Sequence, residues 1–106
     1  PLFAQSQIIV NDVDILQEEE AYYIKIVGAA KNLTGTKIVI SVDYGQPRKF
    51  LQSQVIKDKD GNAVIFNSTV EALNFFVGNG YEYVNSMFYT VGTANVEHIL
   101  LRRRKE

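Results

Sequence analysis

The stretch NSTVEALNFFVGNGYEYVNS, residues 67–86, predicts the one helix of this protein and the strand that follows it. Ser68 and Glu71 have the S-x-x-E spacing of a capping box, in which both side chains accept hydrogen bonds from backbone N–H groups at a helix start. Apolar residues then recur at helical spacing: Val70, Leu73 and Val77. We therefore predict an amphipathic helix over about residues 68–78.

Two glycines, Gly78 and Gly80, stand at the end of this predicted helix. A phosphate-binding glycine loop instead precedes a helix, where free N–H groups face the anion. The third glycine of a G-x-G-x-x-G motif would fall on Tyr83. Position and spacing both disagree with a phosphate site, so we interpret the glycines as the helix terminator and a sharp turn.

Alternating apolar residues predict strands on both sides of the helix. Residues 21–29 and 37–45 predict one antiparallel hairpin, and residues 81–91 and 96–103 predict another. The pair Asp60–Gly61 is typical of a tight turn. We predict an α+β fold, with an antiparallel sheet of about four to six strands and the single helix packed on one face.

Composition limits the domain organisation and the chemistry. The 106 residues contain no cysteine, one histidine and a net charge of −1. We expect a single domain over residues 7–106, with no metal site, cofactor or nucleic-acid partner. No apolar run reaches the ~20 residues that span a bilayer.

The first residues, PLFAQS, place the small Ala4 and Ser6 after two apolar residues. This order is typical of the end of a signal peptide, so residues 1–6 predict a signal-peptide remnant and a periplasmic or secreted protein. An ordinary N-terminal strand or a cloning boundary is the alternative interpretation.

Three charged motifs favour plain structural roles. The oxygen-rich residues Asp58, Asp60 and Asn62 lack the glycine and glutamate spacing of a calcium loop, and indicate a solvated turn. The basic run 102–105 is typical of a solvated tail. His98 has no locally placed nucleophile or carboxylate, so a half-buried structural histidine is favoured over a catalytic one.

The second face of the predicted sheet is the candidate binding surface. We expect the helix to cover one set of side chains: Ile24, Ile26, Ile40, Val84 and Phe88. The opposite set is unusually apolar and aromatic: Tyr23, Val27, Val39, Tyr83, Met87 and Tyr89, with His98 in phase on the last strand. The N-terminal segment is the first expected cover of this face, a second subunit the next, and a ligand or protein partner the third.

The C-terminal 40 residues resemble a family of small bacterial domains of unknown function. The resemblance rests on the Leu73–Asn74 step of the helix, the turn Gly80–Tyr81–Glu82 and the ending Leu100–Leu101–Arg102. Val84, which follows the turn, also matches. The family usually has Trp where this chain has Tyr81. The whole chain also resembles small exported proteins of Bacteroidetes. These resemblances imply a compact strand–helix–hairpin core and supply no reaction, cofactor or catalytic residue.

We therefore expect a non-enzymatic, exported binding or assembly module that forms homodimers through a sheet face or edge, or binds an unknown protein. One alternative is a small-ligand binder or small enzyme that uses His98, the sheet tyrosines and a carboxylate such as Glu82 or Asp43. Another alternative is a structural accessory domain of a larger complex.

Overall fold

The computed structural model describes residues 7–30, 37–47, 53–92 and 94–104. Within these residues, six strands form two antiparallel sheets, and one helix packs against the larger sheet. The predicted α+β class is confirmed.

The larger sheet has four strands in the order β4–β3–β6–β5, and every neighbouring pair is antiparallel. In chain order its strands are β3 (Tyr23–Ala30), β4 (Ile38–Asp43), β5 (Tyr81–Val91) and β6 (Ala94–Arg103). Strands β3 and β4 form the first predicted hairpin, and β5 and β6 form the second. The C-terminal strand lies in the centre of the sheet because β6 pairs with both β3 and β5.

The helix α1 spans Thr69–Gly78 and begins with the predicted capping box. The Ser68 hydroxyl accepts a hydrogen bond from the Glu71 amide at 3.1 Å, and the Glu71 carboxylate accepts one from the Asn67 amide at 3.0 Å. After the C-cap residue Asn79, Gly80 has a φ of +96°. Glycine adopts this backbone conformation without the steric cost that a side chain adds, so the chain turns directly into β5.

The N-terminal segment packs into the core and does not cover the second face of the sheet. Strands β1 (Ile9–Val10) and β2 (Val13–Asp14) form a small hairpin, followed by a 3₁₀ turn over Ile15–Gln17. Ile8 and Ile15 are fully buried in the same cluster as the helix residues. The expected intramolecular cover was therefore wrong for the described residues, because the segment supplies apolar side chains to the helix side.

One core holds the described elements together. Its buried side chains come from the N-terminal segment, the sheet, the helix and the 53–66 connection: Ile8, Val10, Ile15, Ala21, Ile24, Ile26, Ile40, Val42, Ile56, Phe66, Ala72, Phe75, Phe76, Tyr81, Ile99 and Leu101. Edge-to-face ring contacts link Phe66 to Phe75 and Phe75 to Phe76. The helix therefore packs on the sheet mainly through aromatic side chains.

The connection between β4 and the helix runs along the outer edge of β4. The Ile56 amide donates to the Ile40 carbonyl at 2.9 Å, and the Val42 amide donates to the Gln54 carbonyl at 3.0 Å. The predicted tight turn follows, with a φ of +85° at Gly61. The outer edge of β4 is therefore largely paired, whereas no strand among the described residues pairs with the outer edge of β5.

A β-bulge changes which residues of β5 face the helix. Tyr83 pairs with Leu101, but Asn85 pairs with Leu100, so one extra residue lies between them at Val84. The alternation of side chains shifts by one position at this point. The prediction that the helix covers Val84 and Phe88 was wrong: Val84 lies in the bulge and is half-buried, whereas Phe88 is on the helix side but is 69% exposed.

Candidate functional site

The side of the four-stranded sheet opposite the helix carries most of the predicted surface. Strand register places these side chains on one face: Tyr23, Lys25, Val27, Val39, Met87, Tyr89 and His98. We call this set the open face. Tyr23, Met87 and Tyr89 are 52%, 42% and 46% exposed. The described part of the chain thus leaves large apolar side chains about half in solvent.

Tyr83 does not belong to the open face. It lies before the bulge and pairs with the buried Leu101, which places it on the helix side of β5. Its hydroxyl shares a hydrogen bond of 2.8 Å with the Ser86 hydroxyl. The sequence prediction failed here because it continued an unbroken two-residue alternation through residues 81–91.

Met87, Tyr89 and His98 form a cluster on the open face. His98 is opposite Met87 on β5 and opposite Val27 on β3. The rings of Tyr89 and His98 meet edge to face with centroids 4.5 Å apart, and the Tyr89 hydroxyl donates to the Met87 sulfur at 3.7 Å. Because these contacts hold Tyr89 and Met87 against the strand, less side-chain entropy is lost when another surface covers them.

His98 is half-buried, and its Nδ1 atom is buried without a hydrogen-bond partner in the described residues. Burial lowers the pKa of His98, and the nearby positive charge of Lys25 lowers that pKa further. These two effects favour the neutral imidazole.

The carboxylates considered as partners of His98 have other contacts. Glu82 pairs with Arg102 at 2.9 Å, and the Asp43 carboxylate accepts a hydrogen bond from the Gly45 amide at 3.0 Å. A catalytic histidine needs an orienting carboxylate, and in the described residues none bonds to Nδ1. The arrangement at His98 can contribute packing and a titrating group, and it gives no geometric support to acid–base chemistry.

The other end of the open face is polar. The hydrogen bond from Arg102 to Glu82, with a further one to Tyr23, raises the pKa of Arg102. Both charged side chains are substantially exposed. The open face is thus apolar around Met87 and Tyr89 and charged around Arg102.

Arg103 is a structural residue that the sequence prediction missed. Its guanidinium donates to the main-chain carbonyls of Ile15 and Glu18 and, through Nε, to the Tyr81 hydroxyl at 3.3 Å. The interpretation of the basic run as a solvated tail was therefore wrong for this residue. A signal was present, because Arg103 is in phase with the inward-facing Ile99 and Leu101 on β6.

The outer edge of β5 is the second feature of the site. In the described residues, no strand pairs with that edge. Residues 86–89, SMFY, contain neither a charged residue nor a proline, the usual protections of an exposed edge strand. Two features that could protect the edge, the bulge at Val84 and the charge of Glu82, lie nearer the start of β5. Exposed, uncharged residues on both faces of this edge favour pairing with another strand.

Metal-binding geometry is not found in the described part of the chain, where no group of three or more His, Cys, Asp or Glu side chains could hold an ion. The Asp58 carboxylate instead accepts hydrogen bonds from the amides of Asp60 and Asn62, at 2.9 Å and 3.0 Å. These residues stabilise their own turn.

A comparison of the chain with protein-family models, curated proteins and solved structures finds no match. The resemblance to small bacterial domains of unknown function therefore stays a prediction. Within the described residues, no helix is long and apolar enough to span a membrane. Export also stays a prediction, because the signal-peptide remnant expected over residues 1–6 lies outside the described residues.

Proposed function

We propose that this protein is a non-enzymatic assembly module that self-associates by antiparallel pairing of the β5 edges of two copies. The observation that carries the proposal is the outer edge of β5 at residues 86–89, which carries no charge and with which no strand in the described part of the chain pairs. Pairing two such edges around a twofold axis satisfies backbone N–H and C=O groups on both copies and joins two four-stranded sheets into one.

The exposed side chains around this edge suit the centre of an interface. Met87 and Tyr89 project on the open face, and Phe88, which is 69% exposed, projects on the other. Aromatic and Met side chains are enriched in interface cores, where their burial provides most of the binding energy. In a twofold β5–β5 pair, these residues of one copy lie next to those of its partner.

Only the part of the open face beside β5 belongs to the same interface. Its apolar part lies around Met87, Tyr89 and His98. Residues 7–17 pack in the core and do not cover this face. Edge pairing places Met87 and Tyr89 of the two copies side by side, and the part of the open face on β3 and β6 stays exposed in the joined sheet.

The test is the mass in solution over a concentration series, measured by size-exclusion chromatography with light scattering. The wild type is compared with the double variant Met87→Lys, Tyr89→Lys, which places two charges next to the edge. The matched control is Val70→Lys, Val77→Lys, which adds the same charges at exposed apolar positions of the helix. We expect a wild-type dimer that the first variant dissociates and the control retains.

A further variant separates edge pairing from contact through the open face alone. Phe88→Lys adds a charge to the same edge but on the helix side of the sheet. Edge pairing predicts that Phe88→Lys also weakens the dimer, whereas a dimer built only on the open face would keep its affinity. A wild-type monomer at every concentration would contradict self-association and favour a structural accessory domain.

A further inference from the structure

A groove of about 400 Å³ lies on a different part of the molecule, between the N-terminal segment, the turn around residues 57–59 and the helix. Its apolar walls come from three parts of the chain: Ile9, Val64, Ile65, Phe66 and Phe75. A volume of this size falls in the range of small-molecule sites. Ile65 is 43% exposed, although Phe66 and Phe75 beside it are buried, so the groove presents apolar surface to solvent.

The two carboxylates at this groove already accept hydrogen bonds from nearby residues. The Glu71 carboxylate accepts hydrogen bonds from the Asn67 amide and side chain, at 3.0 Å and 3.1 Å. The Asp58 carboxylate is likewise occupied by two backbone amides of its own turn. Both carboxylates therefore serve the local fold.

Lys57 and Lys59 also line the groove. Within the described residues, neither ammonium group makes a hydrogen bond or an ion pair. Asp58 and Glu71 keep their negative charges, so the groove lining is formally neutral, and its free hydrogen-bond donors are the two ammonium groups beside an apolar surface. This combination is complementary to a ligand with one anionic group and an apolar body.

We propose that the groove binds an amphipathic monoanion, an acyl or aryl carboxylate, with its apolar part against Ile65 and Phe75 and its carboxylate toward Lys57 and Lys59. Burial of the hydrocarbon supplies most of the affinity, at about 0.8 kcal/mol per CH₂ group. The two lysines select the charged head over a neutral one. The groove is on the helix side of the sheet, so this site is independent of self-association through β5.

The test is calorimetric titration of the wild-type protein with octanoate, decanoate and decanol, below the concentrations at which they aggregate. Two added methylenes should tighten binding on the order of tenfold from octanoate to decanoate. Decanol should bind more weakly than decanoate, because it has no charge for the lysines.

Matched variants locate the site. Lys57→Glu, Lys59→Glu should abolish the preference for decanoate over decanol, whereas Lys25→Glu on the open face should retain it. Ile65→Glu should weaken decanoate binding at least tenfold, whereas Val70→Glu, on the exposed side of the helix, should not. Circular dichroism checks that each variant is folded.

Amide chemical-shift changes on titration with decanoate give a second readout of location. The proposal expects them around Ile65, Lys59 and Phe75. The proposal would be overturned if decanoate did not bind at millimolar concentration, or if the shift changes were confined to Tyr89 and His98. Equal decanoate affinity in the wild type and in both groove variants would also overturn it. Neither result bears on the dimer, which is measured separately.

Discussion

The hydroxyl of Tyr81 donates a hydrogen bond of 2.7 Å to the main-chain carbonyl of Ala21, across the buried core. Tyr81 is fully buried at the start of β5, and Ala21 is fully buried just before β3. The same phenol lies 5.7 Å below the guanidinium of Arg103. Tyr81 therefore joins the helix–strand turn, the N-terminal connection and the last strand at one point.

Tyr81→Phe should destabilise the fold by about 1–3 kcal/mol, because it leaves the Ala21 carbonyl buried without its donor. The measurement is urea unfolding followed by circular dichroism. The control is Tyr22→Phe, since the Tyr22 hydroxyl makes no hydrogen bond in the described residues. Equal midpoints for wild type and Tyr81→Phe would contradict the structural role of this hydroxyl.

Alkaline pH should destabilise the protein through the buried Tyr81 and the half-buried Tyr44. Burial raises the pKa of Tyr81, with Asp14 adding to the rise and Arg103 opposing it. Burial and then Glu18 raise the pKa of Tyr44 as well. A raised folded-state pKa means that stability is full below the unfolded value, about 10, and is lost as the pH rises above it.

Unfolding midpoints measured from pH 9 to pH 11.5 check this prediction. The wild type should lose stability steeply above about pH 10, and the double variant Tyr44→Phe, Tyr81→Phe should lose less over the same interval. Parallel curves for the two proteins would show that other groups cause the alkaline loss.

Arg103→Lys should destabilise the protein by about 2–4 kcal/mol although the charge is kept, since lysine cannot reproduce the fork that bonds two carbonyls and the Tyr81 hydroxyl. Thermal unfolding measures the loss. The control is Arg102→Lys, because the Arg102–Glu82 pair is exposed and such pairs contribute little. A larger loss in Arg102→Lys than in Arg103→Lys would reverse this assignment.

Gly80→Ala should cost about 1–2 kcal/mol, because the φ of +96° strains any residue with a Cβ atom. Gly28→Ala is the matched control. A Cβ there would meet Ile38 and Ile40 at ordinary contact distances of 3.5 Å and 3.6 Å, so we expect no loss or a small gain. Chemical denaturation of both variants decides between local backbone strain and a general intolerance of alanine.

Acidic pH should weaken the fold through His98. Its pKa is lowered by burial and by Lys25, so the unfolded chain binds the proton more readily than the folded protein does. Stability is therefore full above the unfolded pKa, about 6.5, and is lost as the pH falls below it towards the folded value. Unfolding at pH 7.5, 6.5 and 5.5 should show this loss in the wild type.

His98→Phe is the variant that tests the role of the imidazole, because it keeps an aromatic ring against Tyr89 and removes the titrating group. The decline between pH 7.5 and pH 5.5 should be smaller in this variant. An unchanged pH profile would assign the acidic loss to other residues.

Much of the local structure was predictable because it depends on residues close in sequence. The capping box of Ser68 and Glu71, the glycine turn at Gly80 and the tight turn at Gly61 each involve neighbours within a few positions. Alternation likewise predicted both hairpins of the larger sheet. The candidate surface was predicted less well. Tyr83 was assigned to the wrong face, and the position of β5 at the edge of the described sheet follows only from the strand order.

The sequence by itself determined the α+β class, the helix ends and the hairpin partners, because short-range hydrogen bonds and side-chain periodicity specify them. Only the tertiary structure decided three further points: the bulge at Val84, the burial of residues 7–17 on the helix side, and the bonds of Arg103 to carbonyls more than 80 positions away. Register and long-range packing depend on which distant segments meet, and a one-residue bulge reverses the faces of the residues beyond it.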